Sequence, residues 1–212
     1  MSNMEINSEG VALECLKKDC LECRRCAIGG RTLDGSEWQL EPDEDGVSRS
    51  IGNVFSTMNL EAKLMVVGQN PGADEVGVGE PFVGASGKVF EEALKRIVGL
   101  ERKDLYITNV VKCHTQANRK PTQGEMDNCR DFLDLEMKLV KPDVVVALGS
   151  LAFKAMTGMA GIMKNCGRLV VSPRYLVPVV AMLHPSPYNR NNPERRKMFE
   201  EAMASLAEEL RG

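Results

Sequence analysis

Long hydrophobic runs are missing from this chain of 212 residues. The longest, such as Val144 to Leu148, fall far short of the ~20 residues that cross a bilayer, so no membrane partner is expected. Also missing is a basic start followed by an apolar stretch. Glu5, Asn7, Glu9 and Glu14 interrupt the first residues, which predicts a cytoplasmic protein. There is no excess of positive charge: 27 Lys and Arg stand against 30 Asp and Glu, and the net charge of -3 argues against wholesale coating of nucleic acid by a basic surface. Low apolar content is not the problem either. At 43% apolar and 27% charged residues, disorder, collagen and coiled coil are excluded, and the length predicts one globular domain. Finally, an even cysteine count is lacking. Seven cysteines with no secretion signal disfavour a disulfide framework and favour thiol or metal chemistry.

What is there is unevenly spread. Residues 34 to 45 hold Asp34, Glu37, Glu41, Asp43, Glu44 and Asp45 with no base among them, and read as an exposed acidic loop over about 34–50. Positive charge gathers in Arg102, Lys103, Lys112, Arg119 and Lys120, and again in Arg190, Arg195, Arg196 and Lys197. Solvated helix ends and loops explain such stretches as readily as a binding face does. Cys15, Cys20, Cys23 and Cys26 crowd the N-terminus, Cys113 and Cys129 are separated by 15 residues, and Cys166 stands alone.

Hydrophobic period orders the rest. Leu64 to Gly68, Leu105 to Thr108, Val144 to Leu148 and Val177 to Leu183 read as buried strands, with helices over Ser86 to Val98, from Thr122, from Gly149 to Met156 and from Asn192-Pro193. Thr122-Gln123-Gly124-Glu125 matches a capping box, and Asn192-Pro193 supplies a cap and a first-turn proline. The alternation predicts a three-layer α/β/α sandwich around a short, mainly parallel sheet. Ligands of such sheets sit beyond the carboxyl ends of the strands. That rule singles out Gly68 to Gly87, Asn109 to Arg119 and His184 to Arg190. The first loop is rich in glycine but is not a P-loop, because Phe82 and Val89 stand where glycine and Ser or Thr are required. His184 is one of two histidines, and Pro185 and Pro187 restrict it.

Together these loops carry a specific combination: Gly68-Gln69-Asn70-Pro71-Gly72 with Glu75, Pro81-Phe82-Val83-Gly84, Thr108-Asn109-Val110-Val111-Lys112-Cys113, Asn118-Arg119-Lys120-Pro121, and His184-Pro185-Ser186. In order and spacing the chain from about Cys23 to Arg211 resembles the uracil-DNA glycosylase superfamily, nearest to its iron-sulfur family, usually called family 4. It departs from that family at Gln69 and Asn70, where Glu and a small residue are typical, and in the greater length of the acidic stretch after Arg31-Thr32.

The resemblance implies a DNA repair hydrolase that flips uracil out of DNA and cleaves its N-glycosidic bond. It implies a [4Fe-4S] cluster on Cys23, Cys26, Cys113 and Cys129 within an N-terminal arm of about 1–33. Cys20, Cys23 and Cys26 offer two overlapping C-x2-C pairs, and thiolates also bind zinc. By the same resemblance Phe82 stacks on the extruded ring, Asn109 reads its edge, and Gln69, Pro71 and Glu75 complete the pocket. His184 stabilises the departing base and Asn70 orients water. Lys112, Arg119, Lys120 and Arg190 are the expected phosphate contacts, on a protein expected to act as a monomer. The alternatives are a glycosylase of broader range, taking hypoxanthine or xanthine, and a non-catalytic iron-sulfur protein that binds DNA or carries electrons.

Overall fold

The computed structural model describes residues 8–26, 28 and 52–211. The acidic loop over 34–50, together with Arg31 and Thr32, lies outside the described residues.

Five strands form one sheet: β1 (Leu64–Gly68), β2 (Leu105–Asn109), β3 (Val144–Leu148), β4 (Leu169–Val171) and β5 (Pro178–Met182), in the order β2-β1-β3-β5-β4. All pairs are parallel except β4 with β5. The strands are short and apolar because both faces are covered. Every residue of β1, β2 and β3 is buried.

Alternate strand residues feed two cores. Met65, Val67, Tyr106, Val145, Ala147, Val179 and Ala181 pack on one face against helices α1 (Ser8–Leu21), α4 (Gln123–Val140) and α5 (Ser150–Thr157). Leu64, Val66, Leu105, Ile107, Val144, Val146 and Val180 pack on the other against α3 (Ala85–Ala93) and α8 (Pro193–Glu209). Short helices α2 (Ala73–Val78), α6 (Ile162–Asn165) and α7 (Pro187–Arg190) lie in connections. The expected three-layer α/β/α sandwich is thus the observed one.

Local signals act where they stand. Thr122 accepts from Glu125 N while Glu125 accepts from Thr122 N, closing the capping box at the start of α4. Asn192 Oδ1 accepts from Arg195 N at the start of α8. The helix expected to run from Ser86 to Val98 is α-helical to Ala93 and then widens into a π-helical turn over Leu94–Val98, ended by Gly99. Helix α1 and strand β4 were not expected. The former buries only Leu13, Leu16 and Cys20, and the latter is three residues long with two of them exposed, so neither carries a strong period.

A buried ion pair joins the layers at the end of β2. Lys112 Nζ lies 2.6 Å from Glu136 Oε2 of α4, with the side chains 1% and 0% exposed. Thr108 donates to the same carboxylate, and Tyr106 and Ser56 share a hydrogen bond alongside. Removing one partner leaves the other charge buried and alone, which typically costs about 3–5 kcal/mol. Glu136→Ala is therefore expected to lower unfolding free energy by about that amount in urea titrations. A loss below about 1 kcal/mol would show that the pair does not hold α4 to the sheet.

Candidate active site

The strand order reverses between β1 and β3, because the chain steps from β1 outward to β2 and then returns to the other side of β1. Their carboxyl ends flank the crevice where ligands of open α/β sheets bind. A cavity of about 760 Å³ opens there. Gln69, Asn70, Pro71, Glu75, Phe82, Asn109 and His184, which the sequence places in three separate loops, all line it, as does Lys120.

Close approach at the floor depends on two glycines. Gly68 pairs with Asn109 across β1 and β2, and a Cβ at Gly68 would collide with Asn109 Oδ1 and the Phe82 ring. A Cβ at Gly87 would overlap the Phe82 carbonyl. Phe82 itself adopts φ 58°, rare for an aromatic residue, and is 8% exposed with its ring edge-on to Phe90 at 6.4 Å.

Glu75 crosslinks the first loop. Its Oε2 accepts from Gly72 N at 3.0 Å and its Oε1 from Gly84 N at 2.8 Å, so both carboxylate oxygens fix backbone on either side of Phe82. Gln69 Nε2 donates to Asn70 Oδ1 at 2.8 Å, and Asn70 Nδ2 donates to Pro71 O at 2.9 Å. Longer contacts run from Asn70 Nδ2 to Thr115 and Asn118, both at 3.4 Å. The Asn70 carboxamide is thereby held between the first and second loops. His114 Nδ1 lies 2.8 Å from Pro71 O and ties the same loops together.

His184 follows β5. Its carbonyl accepts from Ser186 N and from Asn189 Nδ2, both at 2.8 Å, which anchors the loop into α7. Burial lowers the pKa of its ring below the ordinary imidazole value of 6.5, and the Glu75 charge opposes part of that shift. The imidazole is therefore neutral at neutral pH, with one N–H to donate.

Among the expected phosphate contacts, Lys112 is corrected. Its side chain is 1% exposed, and its ammonium is bonded to Thr108, Asn109 O and Glu136, so it cannot reach a phosphate on the surface. Burial in an apolar loop had no signature in a stretch counted only for charge. Lys120 is exposed at the cleft, and Arg190 lines a smaller cavity of about 150 Å³ that adjoins His184. Arg119 remains partly exposed while forming two hydrogen bonds with Glu125, at 2.9 and 2.6 Å. That pairing holds the Glu125 carboxyl down to about 2, against the opposing effect of burial.

The cysteines expected to hold iron share one core behind the second loop, although among the described residues no three of them are already set to hold a metal ion. Cys113 and Cys129 are buried, and Cys23 and Cys26 pack against the same core. Lys112 N donates to Cys129 Sγ at 3.2 Å, and Cys113 Sγ donates to Asn53 Oδ1 at 2.9 Å. Asn53 Nδ2 in turn donates to Cys20 O at 2.6 Å. Burial, with the neighbouring thiols of Cys129, Cys20, Cys26 and Cys23, pushes the Cys113 thiol well above its ordinary value. Burial likewise pushes Cys129 up to about 11, although the Lys112 charge opposes it. Soft donors gathered in one core, one already accepting a backbone N–H, are the donor set that a thiolate-bound cluster uses, and metal binding would release their protons. Cys20 is fully buried among them, so the sequence ambiguity between the two C-x2-C pairs has a spatial counterpart.

Sequence reasoning missed Tyr188. It is 73% exposed at the cleft mouth, with the Arg195 guanidinium 4.2 Å from its ring centre. Its signal was a lone aromatic between Pro187 and Arg190 in a chain only 5% aromatic.

Comparison with known proteins agrees with this geometry. The family model of the uracil DNA glycosylase superfamily matches residues 55–207. A type-4 uracil-DNA glycosylase of Archaeoglobus fulgidus is 31% identical over 204 residues, covering 93% of this chain and 92% of that protein. A type-4 uracil-DNA glycosylase of Sulfurisphaera tokodaii is 30% identical over 212 residues, covering 93% and 84%. A type-5 uracil-DNA glycosylase of Pyrobaculum aerophilum is 37% identical over 150 residues, covering 63% and 65%. With three β-strand ends delivering the expected side chains to one cleft and a family match across most of its length, the chain belongs to the uracil DNA glycosylase superfamily.

Proposed function

We propose that the protein removes uracil from DNA, swinging the base out of the stack and hydrolysing its N-glycosidic bond to leave an abasic site. The observation that carries this reading is the meeting of Phe82, Asn109 and His184 in one cleft: an aromatic face, an amide and a neutral imidazole. Phe82 stacks on the extruded ring. Asn109 reads the edge of uracil, which presents N–H at N3 and oxygen at O4, with an amide that both donates and accepts. Bond cleavage leaves cationic character on the sugar and an anion on the base, so a donor aimed at O2 stabilises the charge as it develops. His184 supplies that N–H without being protonated. Asn70 orients the attacking water, and, being an amide, it takes no proton from it. Lys120, Arg119 and Arg190 hold backbone phosphates, and Tyr188 offers an aromatic face to bases beside the vacated position.

Cys23, Cys26, Cys113 and Cys129 hold a [4Fe-4S] cluster. When bound, that cluster crosslinks the N-terminal arm to the second loop, and a hydrolysis of this kind transfers no electrons. The whole chain then acts as a single-domain monomer in the cytoplasm, with the arm and acidic loop as appendages of the catalytic fold.

The direct test is excision from uracil-containing against undamaged oligonucleotides. Asn109→Asp is expected to abolish uracil excision, because an ionised carboxylate only accepts and repels O4. Full uracil activity in that variant would remove Asn109 from base reading.

For His184, the expected single-turnover loss on changing it to Ala is ~100-fold or more, with DNA affinity little altered. Its pKa has a separate consequence. Because burial depresses the folded value, protonation opposes folding, so stability present above pH 6.5 is lost as pH falls through the folded pKa. The ring should titrate below 6.5 by NMR, and lower still in Glu75→Gln, where the opposing charge is gone. A midpoint at or above 6.5 would contradict a buried neutral donor.

Anaerobically purified protein is expected to be brown, with about four irons per chain. Stoichiometric zinc without iron would defeat the cluster, and loss of iron on changing Cys20 but not Cys26 would move the ligand assignment.

A further inference from the structure

We propose that Lys112 is a positioning residue: its buried ammonium fixes the backbone of the base-reading Asn109 and couples it to the helix and loop that carry the cluster cysteines. This rests on the glycosylase reading above.

An ammonium has three N–H groups and no acceptor. Lys112 Nζ uses them on Thr108 Oγ1 at 2.5 Å, Asn109 O at 2.8 Å and Glu136 Oε2 at 2.6 Å. Each partner belongs to a different part of the problem. Thr108, next to last in β2, donates to Glu136 of α4. Asn109 ends β2 with its side chain at the cleft. Glu136 lies on α4, seven residues and about two turns after Cys129, so the two share a helix face.

The main chain of Lys112 reaches the same helix face. Its N–H donates to Cys129 Sγ, and the next residue is Cys113. One residue thus touches the cluster cysteines through its backbone and the base-reading residue through its side chain.

From the sheet side the chain is held just after Asn109. Val110 N donates to Gly68 O at 2.9 Å and Val111 N to Gln69 O at 3.0 Å, which pins the chain after Asn109 to the end of β1. Lys112 Nζ donates to the Asn109 carbonyl. The Asn109 carbonyl and the Val110 N–H are the two ends of one peptide plane, so Lys112 Nζ and Gly68 O hold that plane from opposite sides and together set the direction in which the Asn109 side chain leaves the strand. A displacement of about 1 Å in a reading group is enough to slow a reaction roughly 100-fold.

Energetics favour a directional role over simple adhesion. A buried ion pair loses hydration on both sides, and a well-packed apolar pair often holds two elements at least as firmly. What an apolar pair lacks is a donor for the Asn109 carbonyl. Without that donor the peptide plane after Asn109 is held at its Val110 N–H end alone, and a buried carbonyl is left unsatisfied.

The test replaces the pair with apolar residues of similar volume, Lys112→Met with Glu136→Leu, in the full-length iron-loaded protein. Iron content, cooperative unfolding and affinity for undamaged DNA should match the wild type, including the salt slope of binding. Excision from a uracil oligonucleotide should fall roughly 10- to 100-fold. Affinity for an oligonucleotide with a non-cleavable 2′-fluorinated deoxyuridine should weaken by about 10-fold relative to undamaged DNA. In an Asn109→Ala background the same double change should add little, since its effect passes through Asn109.

Four results would overturn the proposal. They are wild-type excision by the double variant, an undiminished additional loss in the Asn109→Ala background, a salt slope reduced by about one, and failure of the double variant to fold with its iron. The third would make Lys112 a phosphate contact and the fourth a structural strut. Wild-type protein inactive on uracil would instead sink the glycosylase reading itself.

Discussion

The second loop, from Asn109 to Arg119, must satisfy two sites at once, and the buried pair of Lys112 with Glu136 is the constraint that reconciles them. On one side the loop presents Asn109 to the cleft, and on the other it presents Cys113 beside Cys129. A chain this short cannot relax at one end without moving the other. Charge burial makes the arrangement close to all-or-none, because an ammonium removed from its carboxylate in a dry interior has nowhere favourable to go. Helix α4 consequently carries three duties on one rod: Glu125 receives Arg119, Cys129 receives the Lys112 N–H, and Glu136 receives the Lys112 ammonium.

Much of the fold was legible because parallel strands buried on both faces are written as unbroken apolar runs. Leu64 to Gly68 and Val144 to Leu148 needed no periodicity to be found, only length and a following glycine. Helix α4 announced itself through Thr122 and Glu125. What failed to show was of two kinds. Strand β4 gains its place from pairing with β5, a tertiary cause that three half-exposed residues do not encode. Helix α2 sits inside a glycine-rich loop, where Gly72, Gly77 and Gly79 read as turn punctuation although Ala73 to Val78 is helical between them.

The candidate site was legible for the opposite reason. Its residues are unlike their surroundings: a proline-flanked histidine, an asparagine ending an apolar strand, a phenylalanine amid glycines. Each lies at a strand's carboxyl end, where the topology gathers them. Charge was the poor guide. Lys112 counts toward a basic stretch exactly as Lys120 does in sequence, yet one is enclosed by Thr108 and Glu136 and the other is exposed, and only the pairing partner 24 residues away separates them.

Asp74, Glu75, Lys120 and Arg195 line the cleft, but the groups proposed to meet the base and the water are uncharged. Gln69, Asn70, Asn109 and Asn118 are neutral amides, and His184 is held neutral by burial. Glu75 lines the cleft beside Asp74, and both Glu75 oxygens are occupied by backbone N–H groups of Gly72 and Gly84. A carboxylate so engaged is a poor base, and the Asn70 amide is a poorer one still. Under the proposed reaction, water therefore attacks a sugar carbon that has already become cationic, and the barrier is lowered mainly where the base departs as an anion. A free carboxylate on the base's side of the cleft would oppose that anion, whereas donors held by β-strand ends favour it with no reorganisation at the moment of cleavage. Gln69 and Asn70, where Glu and a small residue are typical of the family the sequence resembles, fit this division: under the proposed reaction they order water without activating it and leave the work of catalysis to His184 and the residues that aim the uracil ring at it.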